Sequence, residues 1–395
     1  MVDVLVIGGG PAGISTALHL HARAPKLSVL VLEKETYPRE KYCAGGVGQR
    51  ALTLLAAIGV HPNVPMVRFD TITVRFPEHA VDVRESDFGA VVRRIEFDHA
   101  LALEARRRGI DIREGAAVTA VNPGTDRVTV TLKDGETLHA RVVVGADGVG
   151  GVVRRGIGLD GGTLRAQVIE CDTEPVPSDG PRSTLVFDAS DRSLHGYGWD
   201  FPSLVNGREV VCRGIYVVRN FGAENVRDRL RTYLAAKGLD INNYRLKPFG
   251  ERGFDHSARL SAPRVLLAGE AAGIDIATGE GIAQAIQYGD VAARYLAHAF
   301  DRGRFDFGSW RRTVQIAGLG RSLFLRTLIF RTMYYERDRT ATLLRDNPAI
   351  LTAFGEDFAR GGYRKRTLAR VLVRTPPREL PWLLGVTGSI LRDSR

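Results

Sequence analysis

Hydrophobic and polar positions along this chain change period several times, and each change marks an element. Val2–Ile7 is an apolar run short enough for one buried strand, and it breaks into Gly8-Gly9-Gly10-Pro11-Ala12-Gly13. Apolar residues at helical spacing follow over 11–24, and a second apolar strand ends at Glu33, closing a first βαβ unit at 2–33. The stretch 35–48 reads as loop and 51–58 as part of a helix. Apolar and polar residues alternate over 67–92, the period of half-buried strands. A helix over 97–107 is followed by strands over 110–121 and 128–138. A buried strand at 141–144 then opens into Gly145-Ala146-Asp147-Gly148.

From 164 to 220 the pattern is rich in strands, at 167–173, 184–188 and 210–218, and a helix follows at 225–236. The chain returns to an apolar strand at 265–268 that ends in Gly269-Glu270-Ala271-Ala272-Gly273 and leads into a long helix over 280–299. Leaving one phosphate-type loop and coming back to another implies an α/β fold: a Rossmann-type nucleotide domain interrupted by a β-rich domain, with substrate between them. The expected division is 1–75, 93–163 and 256–300 for the nucleotide domain, 76–92 and 164–255 for the substrate domain, and 301–395 for a helical C-terminal region. In that last region Arg321, Arg326 and Arg331 recur every five residues among Leu323, Phe324, Leu325, Leu328, Ile329 and Phe330. Such spacing keeps no single helical face, so the segment reads as a packed cap or as a membrane-leaning surface.

Charge and cysteine usage narrow the partners. A net charge of +10 suits anionic partners such as acidic lipid, phosphorylated substrate or nucleic acid, or equally reflects a basic proteome bias, seen in arginine well ahead of lysine, and charge alone does not choose. The arginines are spread and no reading motif accompanies them, which argues against nucleic acid. Cys43, Cys171 and Cys212 form neither a disulfide framework nor a CxxC pair, which fits a reducing cytoplasm. The chain opens on a core strand rather than a signal peptide. It also lacks an apolar run of about 18 residues, so any membrane contact is expected to be peripheral.

The first glycine loop carries specific chemistry. Gly8 allows the tight turn out of the strand, Gly10 lets backbone approach a pyrophosphate, and Gly13 lets helix and strand pack closely. The phosphates then lie at the helix N-terminus. Glu33 is spaced to accept from a ribose hydroxyl and would repel a 2′-phosphate, which selects FAD or NAD(H) over NADP(H).

Taken together, the loop at 8–13, the Gly145-Ala146-Asp147-Gly148 turn and the Gly269-Glu270 turn resemble the FAD-binding pattern of the flavoprotein hydroxylase superfamily. The resemblance implies FAD as cofactor, Asp147 and Gly148 near the pyrophosphate, and Glu270, in place of the usual aspartate, on the ribityl chain. Arg94, within Arg94-x-x-Phe97-Asp98, matches the family arginine near the flavin phosphates. The same pattern counts Pro11, Ala12, Lys34, Ala44, Gly45 and Val118 among the cofactor contacts. Two further segments resemble the geranylgeranyl reductase branch: Tyr37-Pro38-Arg39-Glu40-Lys41-Tyr42-Cys43-Ala44-Gly45-Gly46, and Tyr197-Gly198-Trp199-Asp200-Phe201-Pro202, which is similar to its YxWxFP motif. Period two puts Tyr197, Trp199 and Phe201 on one side of an extended segment, an aromatic wall for a long apolar substrate or an ordinary sheet core. In that branch Cys43 would lie near flavin and substrate. The glycine pair that usually follows the aromatic motif is imperfect here, reading Val210-Val211-Cys212-Arg213-Gly214. Thr278-Gly279-Glu280-Gly281-Ile282 is similar to the family's TGEGI segment, whose amides cover the flavin pyrimidine; Gly279, Gly281 and Ile282 follow as contacts.

The resemblance implies reduction of isolated C=C bonds in a polyprenyl chain carried on a lipid, quinone or other isoprenoid. Cys43, Tyr197 and bound water are the proton donors open at this level. No second GxGxxG module follows, so electrons would come from an external donor: ferredoxin, quinol or NAD(P)H. A flavin monooxygenase of a hydrophobic or aromatic substrate is the alternative enzyme. The halogenase motif WxWxIP is missing, the tryptophans being Trp199, Trp310 and Trp382. A basic protein that carries FAD or anionic lipid without turnover is the alternative outside enzymes.

Overall fold

The computed structural model describes residues 1–159, 164–219, 225–362 and 364–393. The strands are β1 (Val2–Ile7), β2 (Val29–Leu32), β3 (Gly46–Gly48), β4 (Met66–Arg75), β5 (Ala80–Val92), β6 (Asp111–Arg113), β7 (Val118–Pro123), β8 (Val128–Leu132), β9 (Thr137–Gly145), β10 (Arg165–Thr173), β11 (Thr184–Asp188), β12 (Gly196–Val205), β13 (Arg208–Val218), β14 (Lys247–Arg252), β15 (Ser261–Ala262) and β16 (Val265–Leu267). The helices are α1 (Pro11–Arg23), α2 (Gln49–Ala56), α3 (Arg94–Arg107), α4 (Val152–Gly156), α5 (Val226–Ala235), α6 (Ile282–Asp301), α7 (Trp310–Ile316), α8 (Gly318–Tyr335), α9 (Arg337–Asp346), α10 (Ala349–Arg360), α11 (Lys365–Arg374) and α12 (Leu380–Asp393).

The first sheet runs β15-β16-β9-β1-β2-β6, with the β7–β8 hairpin attached to β9. Its centre is parallel: β1 pairs β2 and β9, and β9 pairs β16. Val4–Ile7, Val142–Val144 and Val265–Leu267 are all buried, as continuous apolar runs must be in a parallel sheet covered on both faces. Helices α1 and α6 touch so closely that a Cβ on Gly289 would stand 2.3 Å from Ser15 Oγ, and that hydroxyl donates to the Ile286 carbonyl at 2.9 Å.

The second sheet runs β14-β10-β13-β12-β11-β4-β5-β3 and is antiparallel except where β11 meets β4. Its β12–β13 hairpin turns at Asn206-Gly207 with φ of 51° and 75°, the left-handed pair that a two-residue turn needs. Strands β3 and β4 belong to this sheet, so the change of sheet falls ahead of Gly46 rather than after Arg75. The expected strand at 110–121 is two, β6 and β7, because the chain between them leaves the sheet to bond the Glu33 carbonyl through Ala116 N–H. Residues 160–163, at the expected boundary near 163, lie outside the described residues. The C-terminal helices cap the second sheet: Phe330, Tyr334, Leu351 and Phe358 share one core with Phe69, Phe88 and Tyr197.

Candidate active site

Three loops meet at the carboxyl ends of β1, β9 and β16. Gly8 leaves β1 at φ +105°, where a Cβ would stand 2.3 Å from the Ala146 carbonyl oxygen; a Cβ on Gly13 would stand 1.9 Å from the Gly8 oxygen. Gly269, at φ +61°, would set its Cβ 2.5 Å from that of Ala12, and Glu270 Oε2 reaches within 3.7 Å of the Cβ position of Gly148. The predicted segments 8–13, 145–148 and 269–270 are thus brought together.

Around this cradle the charges are arranged for an anion. Gly10 caps α1, whose first turn holds no acid, and guanidinium nitrogens of Arg39 and Arg94 both come within 3.8 Å of where its Cβ would be. Arg94 is held by two hydrogen bonds to Asp98, both 2.7 Å, and Arg39 by ion pairs to Asp98 at 3.1 Å and Glu33 at 3.3 Å. A helix N-terminus with two fixed guanidinium groups suits a pyrophosphate. Arg39 was visible only as one letter of a motif, since no local spacing marks it. Buried Glu33 accepts from Gly9 N–H at 2.9 Å and Glu35 N–H at 3.1 Å, while Lys34 beside it is exposed. Val118 opens β7, half-buried. Asp147 Oδ2 accepts from Val153 N–H at 3.0 Å, its Oδ1 is buried without a hydrogen-bond partner among the described residues, and burial pushes its carboxyl up. Burial likewise raises the Glu270 carboxyl, against the opposing pull of Lys41 and Arg94. Glycines that no side chain can replace, two guanidinium groups and an orphaned buried carboxylate oxygen fit a flavin dinucleotide.

Beyond the cradle lies a small pocket of about 60 Å³. Cys43, Ala44, Gly45 and Gly46 form one wall, Trp199, Phe201, Tyr216 and Glu251 the sheet side, and residues 278–282 the third. Gly45, at φ +86°, sits where a Cβ would stand 1.9 Å from the Val92 oxygen, which fixes this loop on the end of β5. Cys43 donates its N–H to Glu170 at 3.0 Å, and burial pushes its thiol up while Arg94 opposes that. Tyr197 stacks on Tyr216 with ring centroids 5.1 Å apart and donates its hydroxyl to the Thr278 carbonyl at 2.6 Å. Trp199 faces Gly214 across the hairpin, where a Cβ would stand 2.2 Å from the indole, so the glycine that survives from the imperfect pair makes room for that ring.

A second cavity of about 390 Å³ adjoins the first and shares Phe187, Tyr197 and Thr278 with it. Its walls are Ile72 and Val74 from the sheet and Leu328, Ile329, Met333, Leu344, Leu351 and Phe354 from the C-terminal helices.

Sequence reasoning passed over three features. Glu170, on β10, is buried and pushed up to about 7, chiefly by desolvation. Glu251, on β14, lines the small pocket; both acids sit at inward steps of a strand, and period two with Val168 and Phe249 was the available signal. The third is a buried ion cluster. Arg326, 1% exposed, pairs with Asp275 at 2.7 Å and Glu280 at 2.5 Å, while Arg50 pairs with Glu280 at 2.6 Å and Asp357 at 3.3 Å. It ties α2, α8 and α10 to the loop before α6. Among the described residues no group of three metal-ligating side chains forms, and no helix is long and apolar enough to cross a membrane.

Fold and cradle together define a flavin-dependent oxidoreductase built on one nucleotide domain. Residues 1–304 match the FAD binding domain family. A digeranylgeranylglycerophospholipid reductase of Methanothermobacter thermautotrophicus is 30% identical over 357 residues, spanning 83% of this chain and 87% of that protein. A rifampicin monooxygenase of Streptomyces venezuelae is 28% identical over 362 residues, 88% of this chain and 70% of that one. The crystal structure of a geranylgeranyl bacteriochlorophyll reductase-like protein from Thermoplasma acidophilum has the same fold, with a TM-score of 0.78 at 19% identity over 98% of this chain and 99% of that one. The protein therefore belongs to the geranylgeranyl reductase family of FAD-dependent oxidoreductases, within the flavoprotein hydroxylase superfamily, and its cofactor is FAD.

Proposed function

We propose that this enzyme reduces isolated C=C bonds in a geranylgeranyl-type polyprenyl chain carried on a lipid or quinone. The observation that carries the reading is the 390 Å³ cavity, walled mainly by aliphatic and aromatic side chains with charged residues such as Arg192 and Arg337 also in its lining, which shares Tyr197 as a wall with the pocket beside Cys43 and the 278–282 loop. A long apolar chain gains by leaving water for such walls.

On this reading the loop 8–13 with Arg39 and Arg94 holds the pyrophosphate, Glu33 with Lys34 the ribose, and Val118 the adenosine end. Asp147 and Gly148 sit at the diphosphate, Glu270 at the ribityl chain, and Gly279, Gly281 and Ile282 at the flavin ring, where the N-terminus of α6 favours negative charge. When reduced, FAD supplies hydride to one alkene carbon. Tyr197, Trp199 and Phe201 orient the chain, Cys43 closes the opposite wall, and the dry lining keeps bulk water from the reacting carbons. Electrons arrive from an external donor, a ferredoxin, a quinol or NAD(P)H. The protein works in the cytoplasm at a membrane surface. Helix α11 supports that contact: its exposed Leu368, Leu372 and Val373 adjoin Arg366, Arg370 and Arg374, and it holds no acid, a match for an anionic bilayer.

The test is anaerobic. Protein reduced with dithionite and mixed with a geranylgeranyl lipid is expected to gain about two hydrogens in the lipid per flavin reoxidised. An unchanged lipid mass with flavin still reduced would overturn the reading. The 28% identity to a rifampicin monooxygenase favours a second one, hydroxylation of a hydrophobic substrate. Oxygen uptake coupled to NAD(P)H and a product heavier by one oxygen would establish it.

A further inference from the structure

The small pocket has two acids in its lining, and their surroundings differ. Glu280 is ion-paired through Oε2 to Arg50 and Arg326, which hold it as a carboxylate although its Oε1 is buried without a hydrogen-bond partner among the described residues. Glu251 instead leaves Oε2 buried and without a hydrogen-bond partner among the described residues, against the backbone of Gly279, whose Cβ would stand 2.9 Å away. Glu251 is presented by β14, bonded along β10 in the register Glu251↔Ala166. A carboxylate in that position would be desolvated and would face Glu270, Asp275 and Glu170 with Lys41 as the opposing charge, so the carboxyl stays protonated well above its ordinary range.

We propose that Glu251 is the proton source for the alkene carbon that does not receive hydride. The inference rests on the prenyl-reduction reading. The π bond breaks as one carbon takes the hydride and electron pair supplied by reduced FAD, and the other takes the proton as the Glu251 O–H bond breaks. The carboxylate left behind is reprotonated from water. An isolated alkene carries no carbonyl to polarise it, so an acid already holding its proton in a dry pocket is the group this step needs. The two side-chain donors visible in the sequence are placed less well for this role. Tyr197 already donates to Thr278, burial pushes its hydroxyl far up, and burial raises the Cys43 thiol as well.

The test compares wild type, E251Q and E251D. In flavin-free wild type, infrared spectroscopy near neutral pH is expected to show a protonated-carboxyl C=O band that shifts in D2O and disappears in E251Q. Each loaded protein is then reduced with dithionite and mixed anaerobically with geranylgeranyl lipid. E251Q is expected to keep its flavin spectrum and melting temperature while flavin reoxidation slows by about 10²–10⁴-fold, with E251D in between. Reoxidation of E251Q within about threefold of wild type, with saturated product, would overturn the role of Glu251 and leave prenyl reduction standing. Absence of product from wild type would instead remove the reading on which the proposal rests. A missing carboxyl band in wild type would remove the neutral acid itself.

Discussion

Gly13 determines how closely α1 can sit on β1, because a Cβ there would fall 1.9 Å from the Gly8 oxygen. Gly13→Ala must push the helix away and open the anion cradle. We expect a destabilisation of about 1–3 kcal/mol and a protein that purifies nearly colourless, read by thermal unfolding and flavin absorbance. A yellow variant with an unchanged melting temperature would contradict the account. Gly8, Gly13 and Glu33 were legible in the sequence because their constraint is local: strand, turn, helix and acid follow one another within a single βαβ unit. Arg39, Glu170 and Glu251 were not, since each acquires its surroundings from strands or loops far away in the chain. Cys43, for instance, meets Glu170 only through a hydrogen bond spanning 127 positions.

Among the elements, β12 was readable as an aromatic strand, but period two alone left its face open between core and substrate wall. Pairing with β13 brings Trp199 over Gly214, and the cap adds the cavity on the far side of Tyr197. The arginine-rich α8 was ambiguous for a physical reason. It is buried on more than one side, and Arg326 points into an ion cluster rather than to solvent. Helix α11, too short to announce itself, carries exposed apolar and basic residues side by side. Leu372 is 59% and Val373 85% exposed, with Arg366, Arg370 and Arg374 one turn apart on the adjoining arc. We expect the protein to sediment with phosphatidylglycerol vesicles at low salt and to release as salt rises, with weaker binding to phosphatidylcholine. Exchanging Leu372 and Val373 together for glutamate should cut binding by tenfold or more, since their apolar burial is lost and two carboxylates offset attraction worth about 1 kcal/mol per basic residue. Lipid-independent dimers lost in the same variant would show that a second copy covers this face instead.

Across the whole molecule, the interrupted nucleotide domain could be inferred because two phosphate-type loops flank a β-rich stretch. The position where the chain changes sheets could not. Strand β3 has three residues, too few for a period, and β4 finds its parallel partner β11 more than a hundred positions later. The C-terminal cap was the least legible part, because its apolar core with the second sheet is tied to the loop before α6 by a buried ion cluster whose members lie far apart in the chain. Arg326→Met would leave Glu280 and Asp357 with Arg50 as their remaining arginine partner and would take from Asp275 its arginine partner in the cluster. The expected cost is about 3–5 kcal/mol, measured by denaturant unfolding, together with faster loss of FAD because residues 278–282 lose their support. A variant as stable and as yellow as wild type would show that the cluster is dispensable.

That cluster also links two occupancies. The helices that roof the 390 Å³ cavity and the loop proposed to hold the flavin ring share the same buried arginine, so parting the one strains the other, and if that cavity takes the proposed prenyl lipid the two occupancies are coupled. By reciprocity, whatever factor a seated flavin adds to lipid affinity, a seated lipid returns to the flavin. The enzyme would then hold its cofactor most tightly when it has something to reduce, and an idle, lipid-stripped molecule would be the first to bleach.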